Sequence, residues 1–597
     1  MPHLKTSGLN GGIAFTAALF LLVVLIPQAG VAQGKRLPAE EFRLAAESRV
    51  SWHDPDLAPD ATSETWVKAK ILGFNDFHGH LNGASISGRP VGGAAVLSAY
   101  LQSESKQVEG RAIIVHAGDM VGASPPVSAL MHDEPSIQVL NLMANEHCSA
   151  KNLYAKRCNV VGTVGNHEFD EGTQELMRLL YGGRYQDTDF LGSDWAGANV
   201  PYVSANVVIE ETGKTILPPY VIKEIDGIPI AFIGAVLKNT PQVVTPSGIA
   251  GLRFLDEATA INSYIPELKA QNVHAIVVTI HQGTWQTNFG PAVRVGDGGL
   301  QGQIIDIVMA LDEEVDVVVS GHAHGYNNVL VPTESGKQIL LTQAFSYGTA
   351  YSDIDIVLDP VSGEIVEKSA AIMTTWADQG PGLSPDPEIA ALVEQANIAV
   401  QPMVDRVIGV AAEDIRKDSN LAGESTLGDL IADSHVHAMD IDFAFTGSGA
   451  GGMRADIEAG EIRWGELFTI KPFGNTLVAM SLTGEQIYRL LNQQWVGRSR
   501  GYFLQISGLR YSWDAKRPED DRIVEILDAA GEPLDRLASY RVGIASFHAS
   551  GGDGFTVFEE GTDQVVGPLV LDALIDYIRS LAQPISVQLD GRIKRLN

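Results

Sequence analysis

Short β-branched apolar runs alternate with amphipathic segments from about residue 66 to about residue 370. The runs have the length of buried strands, and the segments between them have the apolar spacing of helices. This alternation predicts layers of α-helices and β-sheets. A Pro- and Gly-rich stretch at 380–388, GPGLSPDPE, then interrupts the pattern and indicates a domain boundary.

A second α/β unit follows this boundary. The segment 389–407 has the apolar spacing of a helix that bridges two domains. Beyond it, TLVAMSL (476–482) predicts a strand, and TGEQIYRLLNQQW (483–495) predicts a helix that opens with a capping box between Thr483 and Gln486. We therefore predict an N-terminal domain over 66–375, a linker with a bridging helix over 380–407, and a smaller C-terminal α/β domain over 408–590.

Five predicted strands of the first domain end in polar residues that bind metals. Because the carboxyl ends of strands in an open α/β sheet share one edge, these residues should converge there. Carboxylate, amide and imidazole donors without thiolate suit Zn²⁺, Mn²⁺, Fe²⁺ or Co²⁺. They exceed what one tetrahedral ion needs, so we expect two ions that share a bridging carboxylate. The alternative interpretation is that these are five unrelated turns that happen to contain such residues. The candidate ligands are Asp76, His78, Asp119, Asn166, His281, His322 and His324.

The charge balance changes the list of candidate partners. The chain has 42 Lys and Arg residues against 73 Asp and Glu residues, a formal net charge of -31. Such a negative field repels polyanions, which argues against a nucleic-acid duplex as a partner. An anionic small-molecule substrate would need local cations, and bound metal ions would supply them.

The N-terminus predicts export. Lys5 precedes an apolar run at 13–26, and small residues follow it, as in a secretory signal peptide over 1–32 with cleavage near Ala32. The alternative, an uncleaved membrane anchor, is disfavoured because the run is short for a spanning helix. We therefore expect a periplasmic or extracellular protein with no stable membrane anchor after cleavage.

Two cysteines, Cys148 and Cys158, are the only ones in the chain. In an oxidising compartment they could close a small loop, which favours a disulfide. Two independent thiols are the alternative. A zinc site made by this pair alone is disfavoured, because no further soft ligand lies next to it in the sequence.

The motifs NDFHGH, AGD, GNHEFD, HQG and SGHAH, in this order, resemble the five blocks of calcineurin-like metallophosphoesterases. In the second domain GGMRADI, PFGN, FLQISGLRYSWD and FHASGGDGF resemble the C-terminal domain of 5′-nucleotidases. The resemblance covers nearly all of the chain after the signal peptide. It implies an N-terminal four-layer metallophosphoesterase sandwich, a C-terminal substrate-binding domain, and the activity of exported bacterial 5′-nucleotidases.

The resemblance also implies roles for single residues. One ion would be held by Asp76, His78 and His324, and the other by Asn166, His281 and His322, with Asp119 bridging both. His167 would stay unmetallated and face the phosphate. Asp170 would orient the imidazole of His167 and keep it cationic. Glu168 is expected to tie the loop together without a catalytic role.

The second domain would hold the nucleoside. The resemblance places Phe473 and Phe547 on the two faces of the base, Asp553 at the ribose hydroxyls, and Arg454 at the phosphate or ribose. Two positions depart from the family. Gly449 replaces a side chain expected to touch the base, and NLAG at 420–423 lacks a common arginine, with Arg416 and Lys417 near but out of register. The sequence therefore leaves open which base is preferred and which side chains bind the phosphate.

The implied function is a dimetal phosphohydrolase that cleaves the monoester of nucleoside 5′-monophosphates. A nucleotide-sugar pyrophosphatase or a 2′,3′-cyclic-nucleotide phosphodiesterase would use the same metal centre on another ester. A catalytically idle surface-binding module is a more distant alternative, disfavoured because every metal-ligand position is filled. The sequence leaves open which metal is native and how many chains associate.

Overall fold

The computed structural model describes residues 43, 47–53, 65–185, 194–286, 300–449, 452–498 and 500–597. The predicted signal peptide lies outside these residues and stays a prediction. Among the helices of the described part, none is both long enough and apolar enough to cross a membrane.

The N-terminal domain is built on two mixed sheets that stack face to face. Apolar side chains such as Ile71, Val115, Phe232 and Val317 fill the space between the sheets. The first sheet has seven strands, in the order Val50–His53, Ile365–Thr374, Ala350–Leu358, Val67–Phe74, Ala112–Ala117, Val160–Thr163 and Tyr202–Val203. The second has six, in the order Tyr326–Pro332, Gln338–Ala344, Val315–Ser320, Ala275–His281, Ile228–Val236 and Tyr220–Ile225.

Helices cover the outer face of each sheet. The first sheet packs against Ala94–Gln107, Glu134–Met143 and Thr173–Tyr181. The second packs against Glu257–Asn262, Ile265–Ala270 and Gln303–Met309. This α/β/β/α sandwich confirms the predicted four layers. Shorter elements complete the domain: the helix Pro126–Ala129, and the strand pairs Ala84–Ile86 with Arg89–Val91, Val207–Ile209 with Leu252–Phe254, and Trp285–Gln286 with Leu300–Gln301.

The five strands predicted to carry metal ligands all belong to the parallel parts of the two sheets. Val67–Phe74, Ala112–Ala117 and Val160–Thr163 run parallel in the first sheet. Ala275–His281 and Val315–Ser320 run parallel in the second. Their side chains are buried almost throughout, which explains why the sequence shows continuous β-branched runs instead of alternation.

A linking helix, Pro387–Val404, connects the domains. Asp386 caps it, because its Oδ1 accepts hydrogen bonds from the backbone N–H groups of Glu388 and Ile389. The Oδ2 atom of the same carboxylate accepts from Ser98 Oγ at 2.7 Å and Gln102 Nε2 at 2.6 Å, on the N-terminal domain. Ile389, Ala396 and Val400 are buried in the core of that domain.

The linking helix is shifted from the predicted range 389–407. It starts at Pro387, a residue favoured in the first helical turn. It ends at Val404, because residues from Val407 onward form a strand, Val407–Ala411, that pairs with Gly460–Arg463. The last predicted turn is therefore replaced by sheet pairing.

The C-terminal domain contains a five-stranded and a three-stranded sheet. The predicted strand at 476–482 is Thr476–Thr483. The capping box is present, with Gln486 N–H donating to Thr483 Oγ1 and Thr483 N–H donating to Gln486 Oε1, but the helix ends at Asn492. The sheets comprise Leu504–Ser507, Phe443–Gly447, Ser539–Ala545, Thr476–Thr483 and Thr562–Leu569, and then Ile523–Asp528, Leu509–Trp513 and Ile593–Arg595. The helices are Thr426–Ala438, Trp464–Ile470, Gly484–Asn492, Ser546–Ala549 and Val570–Ser580.

Cys148 and Cys158 are joined in a disulfide, with a sequence separation of 10 residues. The bond closes the loop between the helix Glu134–Met143 and the strand Val160–Thr163. The bond therefore holds the chain just before the strand Val160–Thr163, and Asn166 follows the other end of that strand.

Candidate metal centre and nucleoside pocket

The seven predicted metal ligands converge at the carboxyl ends of the parallel strands. Asp76, His78 and His324 form one group whose ligand atoms all lie within 4.8 Å of one another. Asp119, His281 and His322 form a second group by the same measure. These groups match the division into two ions that the family resemblance implies.

Asp119 lies between the two groups. Its Oδ2 is 2.9 Å from His281 Nε2 and 3.5 Å from His78 Nε2. Asn166 joins the second group, because its Oδ1 is 3.0 Å from His322 Nδ1. Asp119 is therefore within reach of both groups, and Asn166 lies beside the second.

The imidazoles of His281 and His78 are oriented as metal ligands would be. His281 Nδ1 lies 2.8 Å from the Ala117 carbonyl, and His78 Nδ1 lies 2.8 Å from the Gly122 carbonyl. Donation to these carbonyls places the N–H on Nδ1 and leaves a lone pair on Nε2. His281 Nε2 is buried and faces the carboxylate of Asp119. The donor set thus fits divalent metal ions.

Several ligands sit in left-handed backbone conformations that are uncommon outside glycine. Such residues cost on the order of 1–3 kcal/mol each and cluster at functional sites. Close packing holds them: a β-carbon at Gly165 would lie 2.1 Å from Asp119 Oδ1. The ligands concerned are Asp76 (φ 51°), His78 (48°), Asp119 (54°), His322 (72°) and His324 (51°).

Glu168 ties two of the ligand loops together. One carboxylate oxygen accepts the N–H of Asp119 at 2.9 Å and of Gly165 at 2.5 Å, and the other accepts the N–H of Met120 at 2.8 Å. The side chain is buried. Glu168 therefore supports the loops that carry Asp119 and Asn166.

His167 stands beside the metal ligands with Asp170 behind it. Its Nδ1 lies 2.6 Å from Asp170 Oδ2, and its backbone N–H donates to Asp119 Oδ1 at 2.9 Å. Burial opposes the charged imidazole, but the carboxylates of Asp170 and Asp119 outweigh it and raise the pKa of His167 to about 9. One ring nitrogen of His167 lies within 4.8 Å of the ligand atoms of His78 and Asp119, so His167 borders the candidate metal centre directly.

A cavity of about 1010 Å³ opens over this centre between the two domains. The N-terminal domain contributes metal ligands to its lining, together with His167 and Asp170. The C-terminal domain contributes all of the predicted nucleoside contacts, which are Arg454, Phe473, Phe547 and Asp553. The two predicted residue sets thus face one shared space.

The contacts between the domains at this cavity include two side-chain pairs of described residues. The Phe473 ring stacks on the His167 imidazole, and Arg454 Nη2 donates to the Tyr347 hydroxyl at 3.3 Å. Asp553 is held from its own domain, because its Oδ2 lies 2.6 Å from the Tyr502 hydroxyl and 3.1 Å from His548 Nε2.

Sequence reasoning missed several residues of the cavity. Tyr347 packs against His78 and His324, and it follows the parallel strand Gln338–Ala344, so the strand-end signal could have identified it. Arg500 lines the cavity from an irregular loop that carries no such signal. Lys417, which is out of register in the sequence, also lines the cavity, whereas Arg416 pairs with Asp414 and Asp456.

Comparisons with known proteins agree with this geometry. The model for calcineurin-like phosphoesterases matches residues 69–326, and the model for the 5′-nucleotidase C-terminal domain matches residues 407–560. The chain is 34% identical to the cell wall protein Lmo0130 of Listeria monocytogenes, over 88% of this chain and 69% of that protein. It is also 34% identical to endonuclease YhcR of Bacillus subtilis, over 93% of this chain, but it spans only 44% of that relative.

Among solved structures, a 5′-nucleotidase precursor from Thermus thermophilus superposes with a TM-score of 0.68 and 27% sequence identity. The alignment covers 89% of this chain and 99% of that one. The matched models cover both domains, and the relatives extend across the boundary between them. The chain therefore belongs to the family that joins a calcineurin-like phosphoesterase domain to a 5′-nucleotidase C-terminal domain, a family of metal-dependent phosphoester hydrolases.

Proposed function

We propose that this protein is an exported 5′-nucleotidase that hydrolyses nucleoside 5′-monophosphates to nucleoside and phosphate. The observation that carries the proposal is the shared cavity. Residues that fit two metal ions line it from one domain, and residues that fit a nucleoside line it from the other.

Bound divalent ions would neutralise the phosphate oxygens and lower the pKa of a coordinated water. The chain would hold these ions through Asp76, His78 and His324 on one side and Asn166, His281 and His322 on the other, with Asp119 between them. A cationic His167 faces the same cavity, so it can donate a hydrogen bond to the phosphate or a proton to the leaving oxygen. Asp170 fixes the ring that does this.

The C-terminal domain would supply affinity and orientation. Phe473 and Phe547 offer aromatic faces for the base, a contact that contributes about 1–3 kcal/mol per base. The carboxylate of Asp553 would accept the ribose hydroxyls. Arg454 would contact the phosphate or ribose. Because these groups lie in one cavity with the metal ligands, nucleoside binding would place the phosphate at the metal centre.

A second candidate is hydrolysis of another phosphoester, namely a nucleotide sugar or a 2′,3′-cyclic nucleotide. Lys417, Arg454 and Arg500 all line the cavity, so two linked phosphates could each meet a positively charged side chain. The endonuclease name of the relative YhcR is also that of a phosphodiester hydrolase. These observations favour testing diesters beside monoesters.

The test is a side-by-side measurement of kcat/KM for AMP, UDP-glucose, 2′,3′-cAMP and a thiosulfate ester, on protein loaded with a defined metal. We expect the highest value for AMP, and Asp119→Asn serves as the inactive control. A higher value for another ester would replace the proposed substrate. Failure to bind Mn²⁺, Zn²⁺ or Co²⁺, together with no turnover of any ester, would instead support an idle binding module.

Export is part of the proposal and has its own test. The apolar run at 13–26 and the small residues after it support a cleaved signal peptide. A cell wall location, as the name of the relative Lmo0130 states for that protein, is compatible with export. N-terminal sequencing of protein secreted by a bacterial host should find cleavage near Ala32, whereas an intact N-terminus in the membrane fraction would contradict it.

A further inference from the structure

Gly449 lines the cavity at the place where the family resemblance expects a side chain in contact with the base. The backbone there does not require glycine, because its φ lies outside the left-handed region. A β-carbon at Gly449 would, however, lie 2.3 Å from Cε2 and 2.6 Å from Cζ of Tyr502. The ring of Tyr502 therefore excludes any side chain at position 449.

The same ring controls a second glycine. A β-carbon at Gly447 would lie 2.9 Å from the Tyr502 hydroxyl oxygen and 2.8 Å from His548 Nε2. Tyr502 is itself held firmly, since Arg498 lies over its ring at 5.1 Å and Phe555 meets it edge-on at 5.7 Å. The two glycines and the tyrosine thus form one packed unit beneath the cavity wall.

The hydroxyl of Tyr502 also orients Asp553. It donates to Asp553 Oδ2 at 2.6 Å, and His548 Nε2 lies 3.1 Å from the same oxygen. Two donors saturate one carboxylate oxygen, so Oδ1 is the atom left to accept hydrogen bonds from a ligand. Asp553 sits at φ 55°, a conformation that an unsupported aspartate rarely keeps.

We propose that Tyr502 determines how this protein reads its substrate, by occupying the space of a base-reading side chain and by fixing Asp553 for the ribose. The inference rests on the proposed nucleotidase function of the cavity and names its substrate class: nucleoside 5′-phosphates irrespective of base. With no side chain at 449, the base is held by stacking on Phe473 and Phe547. Stacking is tolerant because every base has a π face.

The first test compares kcat/KM for AMP, GMP, CMP and UMP with that for p-nitrophenyl phosphate, which has no base. We expect the four nucleotides to agree within about tenfold, the scale of sequence-tolerant stacking. Gly449→Asn should lower all four relative to p-nitrophenyl phosphate, because the new side chain collides with Tyr502. Adding Tyr502→Ala to Gly449→Asn should recover only part of the nucleotide turnover, because the collision is removed but the hydroxyl that holds Asp553 is lost, and it should spread the four values apart. Full nucleotide activity in Gly449→Asn alone would overturn the proposal.

The second test isolates the hydroxyl. Tyr502→Phe keeps the ring and should raise KM for AMP about tenfold, the worth of one hydrogen bond to a charged group, with kcat nearly unchanged. The same substitution should leave KM for 2′,3′-dideoxy-AMP unaltered, because that substrate offers Asp553 no hydroxyl. Tyr488→Phe, whose hydroxyl accepts the Ile526 N–H, is the matched control. Equal effects on AMP and its dideoxy analogue would refute a positioning role.

These outcomes separate the inference from the function on which it rests. Turnover of p-nitrophenyl phosphate without turnover of any nucleotide would refute the nucleotidase proposal itself. Turnover of nucleotides with a preference above about tenfold for one base, which exceeds the scale of sequence-tolerant stacking, would refute only the role given to Tyr502.

Discussion

The ring of Phe473 lies nearly parallel to the imidazole of His167, with centroids 5.8 Å apart and planes inclined by 15°. One ring comes from the C-terminal domain and the other from the N-terminal domain. The side chain proposed to stack on the base is therefore a direct neighbour of the side chain proposed to face the phosphate. Binding and turnover should both respond to changes at Phe473.

Phe473→Leu removes an aromatic face and keeps an apolar side chain. We expect KM for AMP to rise about tenfold or more, since stacking contributes about 1–3 kcal/mol per base. Turnover of p-nitrophenyl phosphate should fall much less. Phe468→Leu is the control, because Phe468 packs on Trp464 in the same domain with ring centroids 5.0 Å apart. Equal KM changes in the two variants would show that Phe473 acts only through packing.

His167→Asn should separate metal binding from turnover. We expect this variant to keep both metals and to lose about 10²–10⁴-fold in kcat, the usual contribution of a positioned acid. Asp119→Asn should lose metal as well, because Asp119 lies between the two ligand groups. Metal content by mass spectrometry and kcat for AMP are measured on the same preparations. Equal metal loss in both variants would contradict this division of roles.

Glu168→Gln tests the support of the ligand loops. The substitution leaves one acceptor oxygen for three backbone N–H groups, those of Asp119, Met120 and Gly165. Metal affinity should fall about 10–100-fold, as for other outer partners of metal sites. Competition with a chelator measures the affinity. Glu171→Gln, a change in the same segment but at an exposed position, provides the comparison.

Replacing both Cys148 and Cys158 by serine should lower the free energy of unfolding by about 2–3 kcal/mol, because the unfolded chain without the bond has more conformational entropy. Urea denaturation with and without reductant measures the difference. Reductant should lower the midpoint of the native protein and leave that of the double variant in place. An unchanged midpoint in the native protein would show that the bond adds no stability.

Asp429 gives a prediction about pH. Its side chain is buried, and neither carboxylate oxygen forms a hydrogen bond among the described residues. Burial raises the pKa of Asp429 to about 8, against the lowering effect of Arg592. Between about pH 4, where an unfolded aspartate titrates, and about pH 8 the folded protein then holds a proton that the unfolded chain has released. The stability that the protonated Asp429 side chain contributes is therefore complete below about pH 4 and is lost as the pH rises to about 8.

Asp429→Asn removes this dependence. The difference in Tm, variant minus native, should therefore become more positive from pH 5 to pH 8. Thermal unfolding across this range measures it, and Asp440→Asn is the control for loss of one exposed carboxylate. A constant difference across the range would contradict a buried, protonated Asp429.

Much of the site could be predicted because its signals are local. Each ligand-bearing strand is buried on both faces and ends directly in its ligand, so the sequence shows an apolar run followed by Asp, Asn or His. Tyr347 carries the same signal at the end of Gln338–Ala344 but is not a typical ligand, so it was missed. The exclusion of a side chain at Gly449 by Tyr502 joins positions far apart in sequence, and it depends on packing that no local pattern shows.

The linking helix illustrates the same limit at its ends. The apolar spacing of 389–407 predicted a helix. It did not show that Asp386 caps the helix or that Val407 belongs to the following strand. Each end depends on residues distant in sequence. Ser98 and Gln102 hold the carboxylate of Asp386, and Arg463 pairs with Val407 in the strand.

The anchoring of the linking helix has a mechanical consequence. Asp386 fastens its first turn to the N-terminal domain, and Ile389, Ala396 and Val400 bury its length there. The helix is thus a rigid extension of the metal-binding half, and its last residue, Val404, packs on Gly465 of the C-terminal domain, where Arg463 pairs with Asp405 at 3.2 Å. The C-terminal domain is therefore attached directly to the end of a helix that is buried in the N-terminal domain. A rotation of one domain against the other about this attachment would move Phe473 and Phe547 relative to the metal ligands.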